Sequence, residues 1–138
     1  MAGLDDALGA MRPSIDNHRF SLVRLPDTPA ADPPVEKPPS FMLCGPDGET
    51  TLCLEEGEAH RLGSSMEGAE IHGPFAWIGL GTDLPADLVG FMAALTAALA
   101  AADIPVVAFG GARRDYLLVP SDLADEALGV LKDLPSQP

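Results

Sequence analysis

A chain of 138 residues with 46% hydrophobic content is long enough for one ordinary domain or two very small ones, and it can fill a core. Its 21 acidic against 8 basic residues give a formal net charge of -13. That charge turns the attraction behind most nucleic-acid binding into repulsion, and it sets DNA, RNA and anionic membrane surfaces aside. The longest apolar stretch, residues 88–102, is shorter than the roughly 20 residues needed to span a bilayer. Asp5 and Asp6 precede Arg12, the reverse of a secretory signal, so a cytoplasmic location is expected.

Residues 1–17 carry weak periodicity and read as a flexible N-terminal arm. Phe20-Ser21-Leu22-Val23-Arg24-Leu25 then alternates apolar and polar, as a half-buried strand does, until Pro26. Six prolines between Pro26 and Pro39 fix φ and remove N–H donors, so that connection holds no continuous helix. A hairpin follows from Phe41 to Leu54 around Gly45-Pro46-Asp47-Gly48. Symmetric pairing about that turn sets Cys44 opposite Thr50 and Cys53 opposite Phe41, so the two cysteines do not bridge, and both read as small buried hydrophobes. The polar stretch 55–68 allows a short helical turn. Phe75 to Leu80 reads as a buried strand.

Between Ala86 and Ala102, Leu88, Phe91, Met92, Leu95 and Leu99 recur at helical spacing, and the alanine-rich remainder favours a helix. Asp83 or Asp87 is expected to cap it. Ile104 to Phe109 and Tyr116 to Val119 read as strands, and Ser121 as the cap of a last helix with Leu123, Ala127, Leu128 and Leu131 inward. From Phe75 onward the order strand, helix, strand, strand, helix is the ferredoxin-like pattern without its last strand, which something else must complete. Strands at 19–25, 40–44 and 50–55 make the N-terminal half a degraded copy of the same unit. The expected architecture is α+β: tandem ferredoxin-like units, antiparallel sheets with helices on one face, the N-terminal unit degenerate. Its divisions are 1–17 as the arm, 18–72 and 73–134 as the two units, and 135–138 as a disordered tail.

His18, His60 and His72 lack metal-ligand spacing, and two cysteines without clustered histidines are too few for a structural zinc site, so neither metal nor cofactor is expected. His60 and His72 with Glu70 or Asp83 offer the only material for acid–base catalysis, and histidines in loops are usually solvated. Arg113 and Arg114 can bind a carboxylate, but adjacent residues on a strand point to opposite faces, so at most one would reach a given site.

Several segments together resemble bacterial ACT-domain proteins related to the CASTOR-type arginine sensors. Arg19-Phe20-Ser21-Leu22-Val23-Arg24-Leu25-Pro26 is similar to that family's opening strand, and Thr50-Thr51-Leu52-Cys53-Leu54-Glu55-Glu56 to its hairpin block. Gly90 matches the glycine of its helix opening. Ala101-Ala102-Asp103-Ile104 followed by Gly110-Gly111-Ala112-Arg113-Arg114-Asp115-Tyr116-Leu117-Leu118-Val119-Pro120 is similar to its final hairpin. The resemblance implies a non-enzymatic regulatory sensor of two ACT units that binds an amino acid or related small molecule where they meet. It places Thr51, Leu52, Gly90, Gly110, Gly111 and Asp115 at the ligand. Asp115 would meet a cationic group, or would act only as a hairpin-turn aspartate paired with Arg113 or Arg114. Gly90 would admit close approach, or would serve helix–sheet packing.

Gly110-Gly111 stands where the family has Ser-Thr, so specificity for arginine is not inherited. A sheet lacking its last strand also leaves an edge that invites pairing, with intramolecular completion expected and a homodimer or a regulated protein partner allowed. Two other readings stand beside the sensor: an interaction module without ligand, and a small ferredoxin-like enzyme.

Overall fold

The computed structural model describes residues 3–26, 35 and 38–136. Its elements are α1 (Leu4–Ala10), β1 (Ser14–Arg24), β2 (Phe41–Cys44), β3 (Thr50–Glu55), α2 (Glu56–Ser65), β4 (Glu70–Gly79), α3 (Phe91–Ala101), β5 (Val107–Gly110), β6 (Asp115–Pro120) and α4 (Ala124–Asp133). The strands lie in the order β2-β3-β1-β4-β6-β5, and the pairs β1–β3, β2–β3 and β5–β6 are antiparallel. The chain divides into two compact units, His18–Phe75 on one side and Met1–Asn17 with Ala76–Pro138 on the other.

In the unit His18–Phe75 the strand order is β2-β3-β1-β4. Val23, Leu25, Leu52 and Leu54 turn one sheet face to Ala59 and Leu62 of α2, and these six residues form its buried core. Alternation puts every second strand residue on that face. Helix α2 replaces the single turn expected at 55–68. Ala59 and Leu62, three apart, supply its buried stripe, while Gly57, Gly63 and Ser64-Ser65 lower its propensity and hide it from a sequence reading. The hairpin pairs as expected, with Cys44 opposite Thr50 and Phe41 opposite Cys53. Cys53 is buried, and burial pushes its thiol up to about 12. Cys44 departs from expectation: on the edge strand β2 it is exposed. Most of the proline-rich connection lies outside the described residues.

The other unit has the order β1-β4-β6-β5. Ala76 and Ile78 of β4, Leu80 just after it, and Leu117 and Val119 of β6 face Phe91, Leu95 and Leu99 of α3 and Ala124, Ala127 and Leu131 of α4. The opposite sheet face carries Trp77, Phe109 and Tyr116, with ring centroids 4.9 to 5.5 Å apart. The strand missing from the ferredoxin-like pattern comes from the start of the chain: Ser14, Ile15, Asp16 and Asn17 lie beside Trp77 and Gly79.

The N-terminal segment is therefore no flexible arm among its described residues. Leu4, Ala7, Leu8 and Met11 have helical spacing, and Ala7 and Met11 are buried in the same core. Three further expectations change. Helix α3 begins at Phe91, not Ala86, because Gly90 sits at φ +92° and breaks the helical path, so neither Asp83 nor Asp87 caps it. Ser121 caps nothing with its side chain; it opens a 3-10 turn, Ser121–Leu123, that leads into α4. Of the tail expected from 135, Pro135 and Ser136 belong to a 3-10 turn, Leu134–Ser136, that follows α4, and the last two positions lie outside the described residues.

Candidate functional site

The loop between β4 and α3 is shaped by two glycines. Gly81 has φ +70°, and a Cβ there would stand 2.6 Å from the Arg12 carbonyl oxygen, closer than real Cβ atoms come to backbone. Arg12 N–H donates to the Leu80 carbonyl at 2.8 Å, which fixes the start of the loop. Gly90 ends it in the left-handed region and forms the N-cap of α3 without any side chain to accept from the first-turn amides.

Three hydrogen bonds fasten this loop to the turn between β5 and β6. Leu84 N–H donates to the Arg113 carbonyl at 2.7 Å. Arg113 Nη2 donates to Asp83 Oδ2 at 2.7 Å, and Arg114 Nε to Asp83 Oδ1 at 2.6 Å. The two arginines reach one carboxylate because they lie in the turn, ahead of β6, where the strict alternation of a strand does not apply. The hydrogen bond from Arg114, reinforced by the charge of both guanidiniums, holds the Asp83 carboxyl below the usual aspartate range and raises Arg114 in return.

A cavity of about 380 Å³ lies where the loop, the start of α3 and the turn converge. The loop gives Leu84, Pro85, Ala86 and Leu88, and the helix start gives Gly90, Phe91, Met92 and Ala93. Gly111, Ala112, Arg113 and Asp115 close it from the hairpin. Asp115 pairs across the hairpin with Gly110, and a Cβ on Gly110 would come within 2.6 Å of Asp115 Oδ1. The glycine at 110 thus leaves room for the carboxylate. With both arginines drawn to Asp83, the Asp115 side chain has no hydrogen bond or ion pair among the described residues.

Of the residues singled out in the sequence, Gly90, Gly111 and Asp115 line one cavity, and Gly110 stands next to it. Thr51 and Leu52 lie on β3 in the other unit: Thr51 pairs with Arg24 and Leu43, and Leu52 is fully buried in that unit's own core. The wall formed by Leu84 and Leu88 went unread because a helix was expected to start at Ala86; Pro85 was the available signal that the loop continues. His72 approaches Glu70 at 3.6 Å with both side chains exposed, and neither lines the cavity. Among the described residues no group of three or more His, Cys, Asp or Glu could hold a metal ion.

Residues 74–133, the span that contains β4's end, the loop, α3, the hairpin and α4, match the family model described as the ACT domain. That match takes in 60 of the 138 residues. No curated protein matches the sequence. A solved structure from Vibrio cholerae, a protein of unknown function described as a possible transport protein, superimposes with a TM-score of 0.77 at 25% identity, covering 96% of each chain. An Agrobacterium tumefaciens protein gives 0.71 at 16% identity over 91% of this chain and 89% of its own. The ligand-free regulatory subunit of aspartate kinase from Thermus thermophilus gives 0.68 at 15% identity, covering 91% and 98%. The ferredoxin-like α+β architecture expected from the sequence is thus a fold shared with the regulatory subunit of aspartate kinase.

Proposed function

We propose that this protein is a non-catalytic ACT-type regulatory module that binds an amino acid or similar small ligand in the cavity beside Asp115. The observation that carries this reading is the Asp115 carboxylate, at the cavity without an ion pair, while the neighbouring arginines are both held by Asp83. A free carboxylate offers an ammonium group its strongest complement. The uncapped first-turn amides of α3 offer donors for a carboxylate. The cavity falls wholly within the span that matches the ACT family model. The fold shared with the regulatory subunit of aspartate kinase supports a regulatory role, exerted through association with itself or with a partner protein. The resemblance to CASTOR-type sensors supports an amino acid as the ligand class. Among the described residues no helix is long and apolar enough to cross a membrane.

The test is a thermal-shift screen of the twenty amino acids on the full chain. A ligand at 100 times its Kd adds about 2.7 kcal/mol, which for a domain of this size moves the midpoint by several degrees. A selective rise that disappears in Asp115→Asn is the expected result. No rise with any amino acid would contradict the proposal.

A further inference from the structure

A second cavity, of about 490 Å³, lies between the end of α1 and the end of α4, and it shares no lining residue with the one beside Asp115. All of it belongs to the unit Met1–Asn17 with Ala76–Pro138. Met11, Pro13, Leu131 and Pro135 give it hydrocarbon and thioether walls, and Arg12 and Lys132, both exposed, are its charged members. Among the described residues no carboxylate lines it. In a chain with 21 acidic residues that pattern is selective. Arg19, Arg24, Arg61, Arg113 and Arg114 each pair with an aspartate or glutamate. Arg12 and Lys132 have no ion pair among the described residues, and both stand at this cavity.

The backbone of Arg12 is fixed by its N–H on the Leu80 carbonyl at 2.8 Å and by the close approach of Gly81. Its Nη1 donates to the carbonyls of Gly9 at 2.9 Å and Met11 at 2.8 Å, which covers oxygens at the end of α1 that would otherwise repel an anion. Nε and Nη2, an edge of the guanidinium that can meet a carboxylate with two parallel hydrogen bonds, have no partner among the described residues.

We infer that this cavity binds a carboxylate with an apolar body, its head on Arg12 and Lys132 and its body against Met11, Pro13, Leu131 and Pro135. Two oxygens match the donors, which are one guanidinium edge and one ammonium. A phosphate brings a third oxygen and more charge, but the lining has no hydroxyl side chain, and Pro13 and Pro135 have no N–H to offer. An apolar body gains by leaving water against these walls. The volume lies within the roughly 300 to 1,000 Å³ of ligand cavities. The site is separate from that of the proposed function and does not depend on it.

Isothermal titration of the full chain with hexanoate and 3-phenylpropanoate tests this, with acetate, hexanol, hexylamine and hexyl phosphate as comparisons. Saturable binding of at least one of the two larger acids is expected, with none by acetate, hexanol or hexylamine and weaker binding of hexyl phosphate. Arg12→Gln and Lys132→Gln should each lower the affinity about tenfold. Arg12→Gln also uncovers the end of α1 and could act through folding. Lys132→Gln, at an exposed position in the last turn of α4, is therefore the decisive variant, and its unfolding midpoint should stay within a few degrees of the wild type. Wild-type affinity in Lys132→Gln would confine that lysine to its interaction with the carbonyl end of α4 and overturn the inference. Binding of hexanol or acetate as tight as that of the larger acids, tighter binding of hexyl phosphate, or silence from both acids would overturn it as well.

Discussion

Asp83 and Asp115 are both carboxylates beside the same hairpin, and their surroundings give them opposite tasks. Asp83 accepts from two guanidiniums and holds the loop; Asp115 lines the cavity with no side-chain hydrogen bond or ion pair among the described residues. The Asp83 pairs are exposed, so they contribute little to stability and act chiefly on loop position. Their sign with pH is nonetheless fixed. An unfolded aspartate titrates near about 3.9, and the folded Asp83 carboxyl lies below that value. Its contribution is therefore complete at higher pH and is lost as pH falls from the unfolded value through the folded one. Urea midpoints of the wild type and Asp83→Asn should differ by a constant amount above about pH 5 and converge as pH drops below about 4. A difference that widens on acidification would contradict the pairing. At this scale Gly90, Gly111 and Asp115, singled out in the sequence, line one cavity. The role of Asp83 was not legible in the sequence, because its partners lie some thirty positions away and near sequence position suggested a helix cap.

At the scale of elements, long segments with strong periodicity were readable and short ones were not. The stripe Phe91, Leu95 and Leu99 identified α3, but its first turn was misplaced because Gly90 reads as a mild helix weakener when its left-handed φ is invisible. Helix α1 was missed although Leu4, Ala7, Leu8 and Met11 are correctly spaced; seven residues with Gly9 inside give little propensity, and its stability comes from docking. That docking meets the loop at Gly81, where backbone from the two segments approaches too closely for a Cβ. Gly81→Ala should therefore cost about 2 kcal/mol or more, combining the left-handed backbone penalty with the contact on the Arg12 carbonyl. Gly129→Ala, in the exposed middle of α4 with nothing near its Cβ, should instead stabilise by about 0.5–1 kcal/mol. Equal effects of the two substitutions in urea unfolding would show that the close approach at Gly81 is not a feature of the native state.

For the whole molecule, the sequence order from Phe75 onward was enough to recognise a ferredoxin-like unit with a strand missing, since that pattern needs only element types in succession. What supplies the strand was hidden in Asp16-Asn17, whose polarity suggested an arm; on a sheet with a solvated face, polar residues at 14, 16 and 17 are ordinary strand residues. Of the residues that the resemblance grouped together, Thr51 and Leu52 lie in the unit His18–Phe75, whereas the cavity is built from loop, helix start and hairpin of the other unit. The most direct test of that claim is a titration of the isotope-labelled full chain with the amino acid that gives the largest thermal shift, followed by amide chemical shifts. The account predicts saturable movement centred on Gly90 to Ala93, Gly111 to Arg113 and Asp115. Movement centred on Thr51 and Leu52 with those amides still, or no saturable movement at all, would contradict it.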